Sequence, residues 1–317
     1  MLRACAEARR YLGTTVPNPP VGATALNAAG EIIAVAAHQK AGEEHAEAAL
    51  LCLCREQGIL DQVHTLAVTL EPCNHFGRTP PCTAAIAATG IKNIAIGASD
   101  PNPIASGGAA WLRERGIHVV TGIAEAACRQ LIAAFATSVL YKRPWITVKR
   151  AFDAHGSMIP PPGQKTFTSP ASLRLAHRLR KKADAIVTGS GTILADRPLF
   201  TVRHVADHPD KTRILAIADR RRRVDAGYID AATARGFRVM IFDDIEQMFE
   251  KLYADGAQDI LVEAGLELSQ AVLDRGLWNL GVGIHQGTED RVEAALNEKL
   301  EVPFDRNEFV LDNMLPD

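Results

Sequence analysis

The chain has 317 residues, enough for two domains, and 47 % of them are hydrophobic, which is ample for packed cores. Its 35 Lys and Arg nearly balance 37 Asp and Glu, which leaves no broad basic face for nucleic acid, and no run approaches the roughly 18 apolar residues of a membrane span. Six cysteines without a signal-like leader suit a reducing, cytosolic setting in which they are thiols or metal ligands.

In chain order, residues 2–12 read as a short helix ending near Gly13. Pro17-Asn18-Pro19-Pro20 cannot form a regular element and makes a rigid loop into a strand at 21–26. A turn at 27–30 leads to a return strand at 31–37. Asn18 is either a turn residue or an amide held toward a substrate by the flanking prolines. Residues 46–54 are rich in Ala and Leu, a helix composition, which puts His45 at the helix N-terminus and Glu47 one half-turn on. Cys52 and Cys54 lie further along as packing thiols.

The apolar strand 65–70 runs into Glu71-Pro72-Cys73. After the loop 74–81, Cys82 opens a helix that Gly90 closes. One His and two Cys can hold a zinc ion with its fourth position open to water, and Glu47 can then shuttle protons between that water and a substrate. No fourth ligand at a sensible spacing accompanies the three, which argues against a purely structural zinc site. Eight residues separate Cys73 from Cys82, against two in the general Pro-Cys-x-x-Cys signature. A loop of that size carrying His75, Arg78 and Thr79 makes sense if it holds a phosphate or a sugar; the plain alternative is that Arg78 is solvated. Strands at 92–97 and 117–121 flank a helix opened by Gly107-Gly108, so the first half reads as an α/β/α layer with a largely parallel sheet.

Pro-Asn-Pro-x-Val-Gly, His-Ala-Glu, Thr-Leu-Glu-Pro-Cys-x-His-x-Gly-Arg-Thr-Pro-Pro-Cys and Asp-Pro-Asn-Pro occur in that order. Together they resemble the deaminase domain of the bifunctional riboflavin-biosynthesis deaminase/reductases, over roughly residues 1–142. The resemblance implies a cytidine-deaminase-like fold and deamination of a diamino-pyrimidinone ribosyl 5′-phosphate to its uracil analogue. It implies His45, Cys73 and Cys82 as zinc ligands and Glu47 as proton shuttle. It makes Asn18 a base contact and His75, Arg78 and Thr79 contacts to the ribose phosphate.

The join reads at Tyr141–Pro144, with a second domain from 145 to 317. Strands at 145–151, 185–188, 213–219, 237–242 and 260–262 alternate with helices, one starting at Ser169-Pro170 and another at the glycine turn 189–192. This half resembles the reductase domain of the same family, which implies a dihydrofolate-reductase-like α/β fold and NADPH as cofactor. By that resemblance Lys149, Arg180, Gly189, Gly191, Thr192, Arg203, Glu263 and Gly265 are site residues.

The departures are specific. Asp153-Ala154-His155-Gly156 stands where the family has Ser-Leu-Asp-Gly, and Asp196-Arg197-Pro198 where it has Asp-Asp-Pro. Guanidinium cannot take over a carboxylate's role, so the expectation is a kept fold with reductase chemistry in question. The stretch after Trp278-Asn279-Leu280-Gly281 reads as short and polar, without the family's further strand. Arg220-Arg221-Arg222-Arg223 is either a solvated turn or a site for the 2′-phosphate of NADPH. The alternative functional reading is a deaminase on a pathway branching from the riboflavin intermediate, with the second half a non-catalytic scaffold. In either case the expected partners are a small phosphorylated pyrimidine and further copies of the chain, assembled as a homodimer or higher oligomer through the second domain.

Overall fold

The computed structural model describes residues 1–75, 80–160 and 166–316. The chain forms two compact units: Met1–Lys142 together with the segment from Pro303 onward, and Arg143–Val302.

The first unit runs α1 (Leu2–Arg9), β1 (Gly22–Leu26), β2 (Ile32–Ala37), α2 (Ala46–Glu56), β3 (Thr65–Leu70), α3 (Cys82–Ala87), β4 (Asn93–Ala98), α4 (Gly108–Glu114), β5 (His118–Val120), α5 (Glu125–Leu131) and α6 (Ala133–Tyr141). Its five strands lie in the order β2-β1-β3-β4-β5. β1 is antiparallel to both neighbours, while β3, β4 and β5 are parallel. With few aromatics in the chain, small and branched side chains fill this core: Ala23, Ala25, Leu50, Leu66, Val68, Ile94 and Ile96 are all buried. Small residues also let backbones approach closely. A Cβ on Gly22 would lie 2.0 Å from the Ala4 carbonyl oxygen, so α1 can rest on β1 only because that position is glycine. A Cβ on Gly108 would lie 2.0 Å from the Pro72 carbonyl oxygen, so α4 is seated directly against the end of β3.

The second unit runs β6 (Trp145–Phe152), α7 (Pro170–Lys182), β7 (Ala185–Gly189), α8 (Ser190–Asp196), β8 (Arg213–Ala218), α9 (Ala226–Ala234), β9 (Phe237–Phe242), α10 (Ile245–Ala254), β10 (Asp259–Val262), α11 (Leu266–Asp274), β11 (Leu280–His285) and β12 (Arg291–Leu296). Its seven strands lie in the order β12-β11-β6-β10-β7-β8-β9, all parallel except β12. The central strands are apolar runs buried on both faces, as a helix-covered parallel sheet requires. Ser169, Asp225 and Asp244 cap α7, α9 and α10 through their side chains.

Two expectations about the C-terminal stretch are corrected. Residues 280–296 are not a short polar run but the hairpin β11–β12, with Leu280, Val282 and Ile284 buried beside β6. The glycines at 281 and 283 break the β-branched signature that normally betrays a strand. The second domain expected from 145 to 317 stops short of the C-terminus, because the segment from Pro303 packs with the first unit. Its anchor is Gln130 of α5, fully buried, whose Nε2 donates to the Glu308 carbonyl (2.7 Å). The Gln130 Oε1 accepts from the Val310 backbone N–H (2.8 Å) and from Asn313 Nδ2 (3.3 Å). Met314 and Leu315 are buried in turn.

Candidate active site

Three chain junctions converge in the first unit. His45 is the extended residue that precedes α2 (φ −65°, ψ 156°), Cys73 follows the end of β3, and Cys82 is the first residue of α3. Glu71 braces the convergence. Its Oε1 accepts the Ala109 N–H (2.9 Å) and its Oε2 the Asp100 N–H (3.2 Å), tying the end of β3 to α4 and to the loop after β4. The glutamate of the Glu-Pro-Cys motif is therefore a structural strut.

His45 Nδ1 lies 3.7 Å from Cys73 Sγ and 3.4 Å from Cys82 Sγ, and the three ligand atoms fall within 4.8 Å of one another. Two ligands of a tetrahedral zinc, one nitrogen and one sulfur at their usual bond lengths, would stand roughly 3.6 Å apart. The donor set therefore fits zinc with little movement. The Cys82 N–H donates to Cys73 Sγ (3.3 Å), and the hydrogen bond from the Cys82 thiol, with that of His45 behind it, holds Cys73 well down at about 4. Cys82, as the partner that keeps the proton, is pushed far up. The His45 imidazole is raised, first by its bond to Cys73. Among the described residues no fourth side chain joins the group, which leaves a position for water or substrate.

Glu47 lies in the first turn of α2, only 4 % exposed, beside Cys82. Burial, the largest influence, pushes its carboxyl up to about 7. A carboxyl poised near neutrality next to a metal donor set has the properties of a general acid–base.

Asn18 is brought to the site through a residue that the sequence reading passed over. Asn18 Nδ2 lies 3.3 Å from Nε2 of His38, whose Nδ1 lies 2.9 Å from the Glu44 carbonyl oxygen. A carbonyl only accepts, so Nδ1 carries the proton and Nε2 accepts from the Asn18 amide. His38 is 2 % exposed, and burial holds it below its ordinary value, which keeps that neutral tautomer. Its ring stands edge-on to that of His45. The sequence carries little signal for it, because a single His after an Ala-rich strand has no fixed spacing to the zinc motif.

His75 is half-buried, and its Nδ1 is buried with no hydrogen-bond partner among the described residues. Arg78 and Thr79 lie outside the described residues. Cys54 is buried packing, as expected, and Cys52 lies near Glu56 on the helix surface. Cys5 and Cys128, 3.5 Å apart and buried, belong to the packing of α1 on α5.

In the second unit, Lys149 of β6, Arg180 of α7 and Glu263 at the end of β10 form one cluster. Arg180 grips Glu263 through Nε and Nη2 (2.7 Å each), and Lys149 Nζ lies 2.8 Å from the same carboxylate. Burial alone would raise Glu263, but Arg180 and Lys149 outweigh it and hold the carboxyl far below the usual range. Gly189 and Gly191 flank the β7–α8 junction, where Thr192 Oγ1 accepts the Gly265 N–H (2.9 Å). Arg203 is on a neighbouring loop. Its backbone N–H donates to Nδ1 of buried His177 (2.7 Å), and its guanidinium to Thr201 Oγ1 (2.6 Å). His177 is a second residue missed by sequence reasoning.

Arg197 sits at φ +42° after α8, with Nη1 and Nη2 on the Asp225 carboxylate (2.7 and 3.2 Å). Both side chains are about half exposed. Arg197 thus has its own local partner, and Asp225 is held down to about 2 by it.

Residues 144–281 match the family described as RibD C-terminal domain, and residues 1–98 the cytidine and deoxycytidylate deaminase zinc-binding region. The riboflavin biosynthesis protein RibD of Aquifex aeolicus is 34 % identical over 313 residues, spanning 95 % of this chain and 86 % of that protein. That of Corynebacterium ammoniagenes is 37 % identical over 274 residues, spanning 84 % and 78 %. Among solved structures, a diaminohydroxyphosphoribosylaminopyrimidine deaminase/5-amino-6-(5-phosphoribosylamino)uracil reductase from Thermotoga maritima superposes with a TM-score of 0.78 at 31 % identity, covering 90 % of this chain and 85 % of that one. Acinetobacter baumannii RibD superposes at 0.72 with 26 % identity, covering 98 % and 90 %.

Proposed function

The chain belongs to the RibD family of riboflavin-biosynthesis proteins, and from that premise we infer that it deaminates a diamino-pyrimidinone ribosyl 5′-phosphate in its first unit and reduces the ribosyl group with NADPH in its second. Its first unit has the cytidine-deaminase-like fold with a zinc-binding region, and its second the dihydrofolate-reductase-like fold of the family's NADPH-using reductase. No helix among the described residues is long and apolar enough to cross a membrane.

The observation that carries the reading is the trio His45, Cys73 and Cys82 with Glu47 beside it. These three side chains would hold zinc, which when bound supplies a Lewis acid that makes water nucleophilic near neutral pH. Glu47 does the proton work. It accepts a proton as water attacks the amino-bearing carbon and delivers it to the ring nitrogen; it then takes the second proton, from the hydroxyl now on that carbon, and gives it to the departing nitrogen as the carbon–nitrogen bond breaks and the carbonyl forms. Ammonia leaves far more readily than amide ion, so one carboxyl serves both halves. The Asn18 amide, oriented by His38, is suited to read the pyrimidine edge. His75, Arg78 and Thr79 are assigned to the ribose phosphate.

In the second unit, Lys149, Arg180 and Arg203 outnumber the one carboxylate of Glu263, a cationic excess suited to an anionic substrate. The Arg197–Asp225 pair favours an active reductase over a scaffold, since Arg197 is engaged by its own counter-ion. Self-association through the second domain and a cytosolic location belong to the same proposal; light scattering on the full chain tests the first.

The test is to supply the diaminopyrimidine ribotide with and without NADPH while following ammonia and NADPH absorbance. Ammonia release followed by NADPH consumption supports both activities. Ammonia without NADPH consumption confines the function to the first unit, and absence of ammonia overturns the deaminase.

A further inference from the structure

We propose that His177 is a positioning residue of the second unit: by accepting the Arg203 backbone N–H it seats the loop that carries the Arg203 guanidinium beside Arg180. The proposal rests on the reading of Lys149, Arg180 and Arg203 as receivers of an anionic substrate, and assigns the residue that holds their geometry.

His177 and Arg180 lie one turn apart on α7 and so share a face of the helix. Between them they hang the loop after α8 from two points. Nδ1 of His177 accepts the Arg203 N–H (2.7 Å), with the His204 N–H further off (3.5 Å). Nη1 of Arg180 donates to the Thr201 carbonyl oxygen (3.2 Å). The loop enters this stretch at buried Phe200 with φ +55°, a left-handed backbone that a bulky residue keeps only where its surroundings hold it. The Arg203 side chain then folds back on its own loop, Nη1 donating to Thr201 Oγ1 (2.6 Å). Its guanidinium therefore goes where the loop backbone goes. It comes close enough to Arg180 and Glu263 for both charges to act on it.

The ring has one arrangement that permits this. Nδ1 lies 2.7 Å from a backbone N–H and Nε2 lies 3.4 Å from Arg180 Nη1, and both of those neighbours can only donate. A neutral imidazole has one acceptor nitrogen, and the shorter contact claims it. The ring proton then sits on Nε2 and makes no bond to Arg180. A charged ring would lose the Arg203 bond and set a third positive charge beside two guanidiniums. Burial, the largest influence, with Arg180 next, holds His177 down to about 4 and keeps the ring neutral. The His204 ring stands edge-on to it, 4.6 Å between centroids. A buried histidine bonded to backbone is commonly a packing residue. This one differs in what its bond fixes, which is the backbone of a cation in the cluster.

The experiment is steady-state kinetics of the full chain with the deaminated ribotide and NADPH, on wild type and on the H177F, H177N, R203A and H177F/R203A variants. Phenylalanine keeps a ring and removes the acceptor. It should raise KM for the ribotide by about tenfold, as loss of one hydrogen bond that orients a charged group implies, and leave kcat and KM for NADPH within about twofold. Asparagine places an amide oxygen near the Nδ1 position and should recover most of the loss. On the R203A background H177F should add little to KM, because the two residues act through one guanidinium. Thermal unfolding checks the fold; if H177F unfolds below the assay temperature, H177A takes its place in the same cycle. A ribotide KM unmoved in H177F overturns the assignment while leaving the reductase reading intact. So does a full additional rise on the R203A background, or an equal rise in KM for NADPH, either of which would mean general damage to the unit. Wild-type protein that oxidises no NADPH overturns the reductase reading and the assignment with it.

Discussion

The imidazole of His38 stands edge-on to that of His45, ring centroids 5.6 Å apart, while its Nε2 accepts from the Asn18 amide. One buried ring thereby packs against a member of the proposed zinc trio and fixes the orientation of the amide proposed to meet the base. His38→Ala should keep zinc, because His45, Cys73 and Cys82 all remain, and should lower deaminase kcat/KM by about tenfold or more through lost positioning. Zinc content and ammonia kinetics check this. Full activity in the alanine variant would remove the role.

Glu47→Gln preserves shape and removes the proton-carrying group. Loss of a positioned general acid–base costs on the order of 10²–10⁴ in rate. The variant should hold zinc like the parent and release ammonia slower by that factor. Retained turnover would end the shuttle assignment.

Metal removal should divide the two activities. The three proposed ligands all lie in the first unit, whereas the Lys149–Glu263–Arg180 cluster lies in the second. A chelator should abolish ammonia release and leave NADPH oxidation intact when the deaminated ribotide is supplied directly. Re-addition of zinc should restore ammonia release.

Glu263→Gln should destabilise the second unit. It leaves Arg180 and Lys149, themselves largely buried, without their shared counter-charge, which costs roughly 3–5 kcal/mol. The pH dependence has a definite sign. The folded carboxyl is depressed, so its contribution is fully present above the unfolded value, about 4.3. It is lost as pH falls below that toward the folded value. Urea unfolding should therefore show the largest gap between wild type and variant near neutrality, closing in acid. A gap that widened in acid would contradict the ion-pair account.

Arg197→Ala should leave NADPH oxidation within about twofold of wild type, because the guanidinium is engaged in an exposed pair with Asp225. A large rise in reductase rate would mean that Arg197 does obstruct the site.

What could be read in the sequence followed from local chemistry. His45 and Cys82 open helices, and Cys73 follows an apolar strand, so periodicity and composition alone put each at a junction. His38 and His177 could not be read this way. Their partners, Asn18 and the Arg203 backbone, are 20 and 26 positions away, and only the fold makes them neighbours. The fold likewise joins Lys149, Arg180 and Glu263 across more than a hundred residues. β11 escaped notice because glycines alternate with its buried Leu, Val and Ile. For Arg197 the sequence shows the charge reversal, and only the fold shows the Asp225 carboxylate that pairs with it.

The Gln130 socket has a consequence for how the protein is made. Residues 308–313 fill it, and they are translated only after all of 143–302. Topologically the second unit is an insertion within the first. The first unit thus leaves the ribosome first, yet its Gln130 socket on α5 can be filled only after the whole of the second unit has been synthesised. Cutting the gene at the apparent join between the two halves would separate that socket from the segment that fills it.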